Sequence, residues 1–305
     1  MQSITAALGP LFLLILLGAA IGYRRWPSVE FWAQMEKLIY FVLFPAMLVA
    51  TLATADVSQV PVGRLTGVLL GAIAILTLLL WRLRDWLALP SPAFTSVFQG
   101  AIRFNTYVGV AGAGALHGEL GVTTAAVAVA VMVPVVNVLC VASFIKAGTL
   151  GTSSLRSSVL ALVKNPLILA CLAGIFLNLT GIGLPGWSES AFDLLGRAAL
   201  PLGLVAVGVA LRPAALFRLD RGTLTTNVAK LALMPVIVLA LAWAFGLDPL
   251  SRDVALLFAA LPTATSAYIL ARQLGGDAEL MAAIITGQTL LAMLTLPFWL
   301  KLVSG

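Results

Sequence analysis

The stretches Gln99-Gly-Ala-Ile-Arg-Phe-Asn-Thr-Tyr107 and Leu261-Pro-Thr-Ala-Thr-Ser-Ala-Tyr268 set polar residues and a proline in the middle of segments otherwise apolar enough to cross a membrane. A bilayer core holds no water to satisfy free N–H and C=O groups. An interrupted helix persists there only where it lines a cavity or is buried in protein. Two such interruptions, in corresponding places of two halves of one chain, are the sequence mark of a secondary transporter's substrate site.

Working outward, the 305 residues are 61% apolar and 10% charged, with a mean hydropathy of +1.07. That lies far outside soluble domains. Apolar runs of about 20 residues, enough to span, fall near 4–23, 33–54, 62–82, 93–116, 121–146, 165–185, 190–211, 224–246, 253–272 and 279–302. The expected fold class is therefore an all-α polytopic membrane protein of ten transmembrane helices, numbered here as spans 1 to 10. Gly-Thr-Ser-Ser-Leu-Arg-Ser-Ser from Gly151 opens a hydrophilic connection. This gives a first repeat at 1–147, a cytoplasmic linker at 148–163 and a second repeat at 164–305. Five spans per half is an odd number, so the two repeats enter the membrane in opposite directions, as inverted repeats.

Matched prolines support the repeat. Pro45 and Pro201 lie in spans 2 and 7, Pro134 and Pro297 in spans 5 and 10, and the two polar interruptions in spans 4 and 9. Asn165-Pro166 reads as an N-cap followed by a proline at the first helical position. Gly275-Gly276-Asp277 reads as a helix stop followed by an acidic helix start.

The net charge of +6 would suit a nucleic-acid binder, but the basic residues are scattered between apolar runs, so no nucleic-acid partner is expected. They carry orientation instead. Arg24, Arg25, Arg82, Arg84, Lys146, Arg156, Lys164, Arg212, Arg218, Arg221 and Arg272 border the connections after odd-numbered spans, against Arg64, Arg252 and Lys301 on the other side. The positive-inside rule then makes the odd-to-even connections cytoplasmic and places both termini outside, in a bacterial inner membrane the periplasm. The first apolar run lacks a basic leader and a small-residue cleavage site, and is expected to remain as span 1. Cys140 and Cys171 fall inside spans, where a thiol is most often apolar filler. With His117 the one histidine, neither a metal centre nor a hydrolytic triad has material, and no cofactor or enzymatic activity is expected.

Span 4 reads as two half-spans flanking Arg103, Asn105, Thr106 and Tyr107. A mid-span arginine is a functional candidate by default, and its fork of donors suits a carboxylate; it could instead snorkel to the cytoplasmic interface. The Asn105 amide could serve a substrate or a neighbouring helix. In span 9, Pro262 removes an internal hydrogen bond. Thr263, Thr265 and Ser266 can then satisfy freed carbonyls or face a ligand. If both helices break and cross, the N-terminus of each second half presents its positive dipole end to the crossing, which favours an anion. Asn137 and Gln288 are second-rank site candidates. Asn178 is a further polar group within span 6, and the pairs Glu36 with Lys37 and Asp193 with Arg197, near helix ends, read as interfacial or mutually paired. No carboxylate lies within either interruption, so coupling to a proton or to Na⁺ stays open.

With Gln-Gly-Ala-Ile-Arg-Phe-Asn-Thr-Tyr-Val-Gly at 99–109, Lys-Asn-Pro-Leu-Ile at 164–168, Leu-Pro-Thr-Ala-Thr-Ser-Ala-Tyr-Ile-Leu-Ala at 261–271 and Gly-Gly-Asp at 275–277, the chain resembles the auxin efflux carrier family, which holds bacterial members and the plant PIN carriers. The resemblance implies helices 1, 2, 6 and 7 as a scaffold and helices 3–5 and 8–10 as a transport domain. Helices 4 and 9 would be broken and crossing, with elevator-type alternating access in a homodimer. It also implies small organic anions as substrate, carboxylates such as malonate or malate or auxin-like acids, with Asn105 and Tyr107 in recognition and Arg103 as carboxylate partner. Phe104 stands where the plant motif Asn-Pro-Asn-Thr-Tyr has its proline. The alternative function is a passive channel or facilitator for small solutes.

Overall fold

A computed structural model of the chain describes residues 4–149, 164–218 and 220–304, and every regular element among them is helical. The first half carries α1 (Ile4–Tyr23), α2 (Val29–Leu38), α3 (Phe44–Thr54), α4 (Val62–Arg82), the short α5 (Arg84–Leu87), α6 (Ser91–Ile102) and α7 (Thr106–Ala147). The second carries α8 (Pro166–Leu179), α9 (Gly186–Val209), α10 (Arg221–Val228), α11 (Met234–Ala244), α12 (Pro249–Ala260), α13 (Ser266–Leu274) and α14 (Ala278–Ser304). In α7, Gly118 at φ 61° and ψ −144° breaks helical geometry, so this run holds two helices.

Seven helical runs among the described residues are long and apolar enough to cross a membrane, the run Ser91–Ala147 extending over 57 residues. That establishes a polytopic all-α membrane protein. The expected linker lies, from residue 150 to 163, outside the described residues.

Local chemistry accounts for the helix ends. The Asn165 side chain accepts from the N–H groups of Leu167 and Ile168, with Pro166 at the first helical position. Gly275 closes α13 at φ 79°, a conformation costly for a side chain bearing Cβ. The Asp277 carboxylate then accepts from Leu280 N at 2.8 Å and starts α14. Two wide π turns, Ile39–Leu43 and Ala229–Leu233, join α2 to α3 and α10 to α11. Each precedes a proline, Pro45 or Pro235. Proline has no N–H and its ring crowds the carbonyl four residues back; the wider turn absorbs that clash without ending the helix.

The described residues group into two compact units, each discontinuous in sequence. The first comprises Met1–Val62, Tyr107–Val133 and Val163–Leu211. Within it α1 packs on α9 backbone to backbone, because Gly18 faces Val205 O and Gly208 faces Ile15 O where a Cβ would collide. The α3 helix packs on α8 and α9 through Gly174 against Leu52 and Gly196 against Met47. Asn178 spends its amide on Ala53 O and Ala55 O, closing the end of α3.

The second unit comprises Gly63–Thr106, Pro134–Leu162 and Arg212–Gly305. Here α6 packs on α10 and α14, and α12 packs on α11 and α14. Gly100 lets α6 settle onto Thr226 of α10 and Ile284 of α14; a Cβ there would meet the Ile284 side chain at 2.8 Å.

Candidate functional site

The two polar interruptions lie together in the second unit. Helix α6 ends at Ile102, and Arg103 leaves it extended at φ −74°, ψ 158°. Helix α12 ends at Ala260, and Leu261 leaves it in nearly the same geometry, φ −64°, ψ 148°. Asn105 N donates to Pro262 O at 2.8 Å, joining one break to the other. The Phe104 ring fills the space beside them, 5.4 Å from the ring of Phe258.

Pro262 accounts for its own break, but span 4 breaks without a proline. The reason lies in what Gly100 O accepts. In a continuous helix it would take the N–H of Phe104. Here it takes Thr263 Oγ1 at 2.6 Å and Gln288 Nε2 at 3.1 Å. Gln288 Oε1 in turn accepts from Thr263 N at 2.8 Å. A second break and a neighbouring helix thus supply the partners that an unwound carbonyl needs in a bilayer. Thr263, read from the sequence as able to satisfy a freed carbonyl or face a ligand, and Gln288, a second-rank site candidate, are fully buried and have polar atoms engaged in this clasp.

Arg103 is held by side chains beside the breaks. Its guanidinium donates to Asn137 Oδ1 at 2.9 Å and to Ser266 Oγ at 3.1 Å, while Nε is buried without a partner. Both partners are neutral, so the positive charge is held in place without being neutralised. Thr106 begins α7 and Ser266 begins α13, which sets two helix N-termini at the breaks. Arg103, Thr106, Thr265 and Ser266 keep partial exposure, whereas Asn105 and Pro262 are buried. The arrangement can orient an anion with a fixed guanidinium, neighbouring hydroxyls and the positive dipole ends of two helix starts.

Tyr107 belongs to the first unit. Its ring meets Phe44 edge-on at 4.8 Å and lies over Gly203, where a Cβ would stand 2.9 Å from the ring.

A lysine in the second unit was missed by the sequence reading. Lys230, in the π turn between α10 and α11, is wholly buried and its Nζ has no hydrogen-bond partner. The rule that picked out Arg103, an ionisable residue in mid-span, applies to Lys230 without change.

Residues 149–300 match the family model described as "Membrane transport protein". The chain is 29% identical over 321 residues to a "Putative malonate transporter" of Rhizobium meliloti (strain 1021), covering 100% of this chain and 97% of the other. It is 28% identical over 139 residues to an "Uncharacterized transporter" of Methanothermobacter thermautotrophicus (strain ATCC 29096 / DSM 1053 / JCM 10044 / NBRC 100330 / Delta H), covering 44% of each.

Proposed function

We propose that the chain, which resembles the auxin efflux carrier family and matches the family model described as "Membrane transport protein", is a secondary transporter of small organic anions, carboxylates such as malonate, working by alternating access of the elevator type. The observation that carries this reading is the uncompensated Arg103 guanidinium, held by Asn137 and Ser266 where the two helix breaks join. A carboxylate meeting it completes a charge-assisted pair, worth about 1.5–3 kcal/mol per hydrogen bond. Arg103, Thr106, Thr265 and Ser266 are the contacting groups in this reading, with Asn105 and Tyr107 in recognition. Asn137, Pro262, Thr263 and Gln288 are positioning residues.

The proposal includes the ten-helix inverted repeat, in a homodimer in the bacterial inner membrane with coupling to a proton or Na⁺. It takes helices 3–5 and 8–10 as the transport domain and helices 1, 2, 6 and 7 as the scaffold. The grouping of the second unit supports that division in part, since residues 107–133 group with the first unit instead. The likeness to a protein described as a malonate transporter supports the substrate class.

Uptake by proteoliposomes across mono- and dicarboxylates and indole acids, with Na⁺, proton and voltage gradients imposed separately, tests the whole reading. Saturable uptake and exchange of a carboxylate are expected. Flux that never saturates would replace the carrier by a channel.

A further inference from the structure

Lys230 is fully buried, has no hydrogen-bond partner, and sits nine residues into the apolar run Arg221–Ala244. It is not alone. Gln99, also fully buried, has both amide atoms unpartnered, and the buried Asn227 Oδ1 is unpartnered too. These three residues come from elements that pack on one another: α6 lies against both α10 and the π turn Ala229–Leu233. Thr226 and Lys230 are four residues apart on one helical face. Thr226 receives Gly100, the neighbour of Gln99.

The elements against the π turn bring no compensating acid. Helices α6 and α11 contain no charged residue. The only one on α10 is Arg221, which lies over Trp86 and donates to Leu87 O. On α12, Arg252 and Asp253 pair with each other near its start. On α14 the charged residues are Glu279 and Lys301, both exposed near its ends. An ammonium without an acceptor in an apolar span is a costly arrangement. It is relieved when the group gives up its proton or gains an occupant. Complete burial bars a carboxylate-sized solute, whereas a proton needs only transient water reaching Lys230.

We propose that Lys230 is the proton-carrying group of this transporter, taking one proton from water on one side of the membrane to form the ammonium and releasing it to water on the other as the free amine. The link to the substrate site is short. Gln99 adjoins Gly100, whose carbonyl is gripped by Thr263 and Gln288, and Gln288 Nε2 also reaches Thr226 O at 3.5 Å. Protonation of Lys230, in the π turn that packs on α6, would therefore act through α6 on the clasp at Gly100. This proposal rests on the reading of the chain as a secondary transporter.

The full chain in liposomes, with labelled malonate as probe, separates the two ideas. Exchange of external for internal malonate needs no gradient; accumulation under an imposed pH gradient does. Lys230→Met and Lys230→Gln are expected to keep exchange within about twofold of the parent while losing about tenfold or more of gradient-driven accumulation. Exchange by the parent chain with no response to a pH gradient would overturn the proton role and leave the transporter reading standing. Silence of the parent chain toward every acid tested would count against the transporter reading. Lys230 remains testable in that case, by nitrogen-labelled lysine NMR of the solubilised chain. A lysine signal absent from Lys230→Met that titrates apart from the surface lysines supports the proposal, and its absence overturns it. Thermal unfolding adds a control: removing an unpartnered charge should leave Lys230→Met at least as stable as the parent, and marked destabilisation would make Lys230 structural.

Discussion

Arg103 and Thr263 divide the work at the breaks, one by charge and the other by geometry. The Arg103 guanidinium donates to two neutral acceptors, so removing its charge leaves Asn137 and Ser266 in place while, on the proposed function, a bound anion would lose its partner. Arg103→Gln is expected to lower carboxylate uptake by about 10- to 100-fold, in line with one or two charge-assisted hydrogen bonds. Arg103→Lys keeps the charge but not the paired donors and should recover only part of the loss. Equal losses for neutral analogues would show that Arg103 merely packs. Thr263 acts through Gly100 O, which it shares with Gln288. In a double-mutant cycle read by thermal unfolding, Thr263→Val should cost about 1 kcal/mol and Gln288→Leu about 1–3 kcal/mol, because the latter also orphans the buried Thr263 N–H. The pair should cost more than the sum, because only then is the buried carbonyl orphaned. Strict additivity would mean that the clasp does not hold the break.

At the scale of elements, the legible parts of the fold were those whose cause is local. Asn165-Pro166 caps its own helix and Gly275 ends its own, so a few adjacent residues suffice to predict each. Pro262 likewise carries its break within itself. The break after Ile102 is different, since its cause sits more than 150 residues away in Thr263 and Gln288. No reading of 99–107 alone could supply it. Phe104→Pro follows from the same logic: Arg103 already has the extended geometry that a following proline demands. The backbone should accept the change, while loss of the ring packed on Phe258 should cost about 3 kcal/mol or more. A break that closed into continuous helix would contradict this account.

The start of α10 gives a pH-dependent case outside the span. The Asp220 carboxylate accepts from Thr223 N at 2.8 Å and from Arg218 Nε at 2.6 Å. Burial raises its pKa, but the Thr223 N–H and the Arg218 guanidinium outweigh that and hold it below the ordinary carboxylate value. A depressed folded pKa stabilises the protein above the unfolded value of about 3.9, and that stability disappears as pH falls through the folded pKa. Asp220→Ala should therefore lower thermal stability at neutral pH by about 0.5–2 kcal/mol. The difference should shrink only in strong acid, and a gap that closed already near neutrality would remove Asp220 as the charged cap.

Across the whole molecule, hydropathy revealed membrane spanning, but not a division into units that each draw on three separate stretches of chain. That division depends on long-range packing such as Gly208 against Ile15 O and Gly100 against Ile284, where any side chain would collide, and no periodicity in the sequence records it. Charge asymmetry, by contrast, is read directly from the sequence. Arg24 and Arg25 follow α1, Arg82 and Arg84 border the end of α4, and Arg212, Arg218 and Arg221 lie between α9 and α10 or at its start. Arg272 joins them in the last turn of α13, whereas Arg64 and Arg252 stand near the starts of α4 and α12. If this asymmetry sets the topology, the hydrophilic 148–163 segment faces the cytoplasm. A cysteine placed at Ser154 in a Cys140→Ala, Cys171→Ala background should then react with an impermeant maleimide in inside-out vesicles and stay unlabelled in intact cells. The two native thiols are buried and form no disulfide, and Cys140 lies beside Arg103, so the Cys-free parent is first checked for unchanged folding and uptake. Labelling from the outside would invert the topology, and with it the side from which each break receives its ligand.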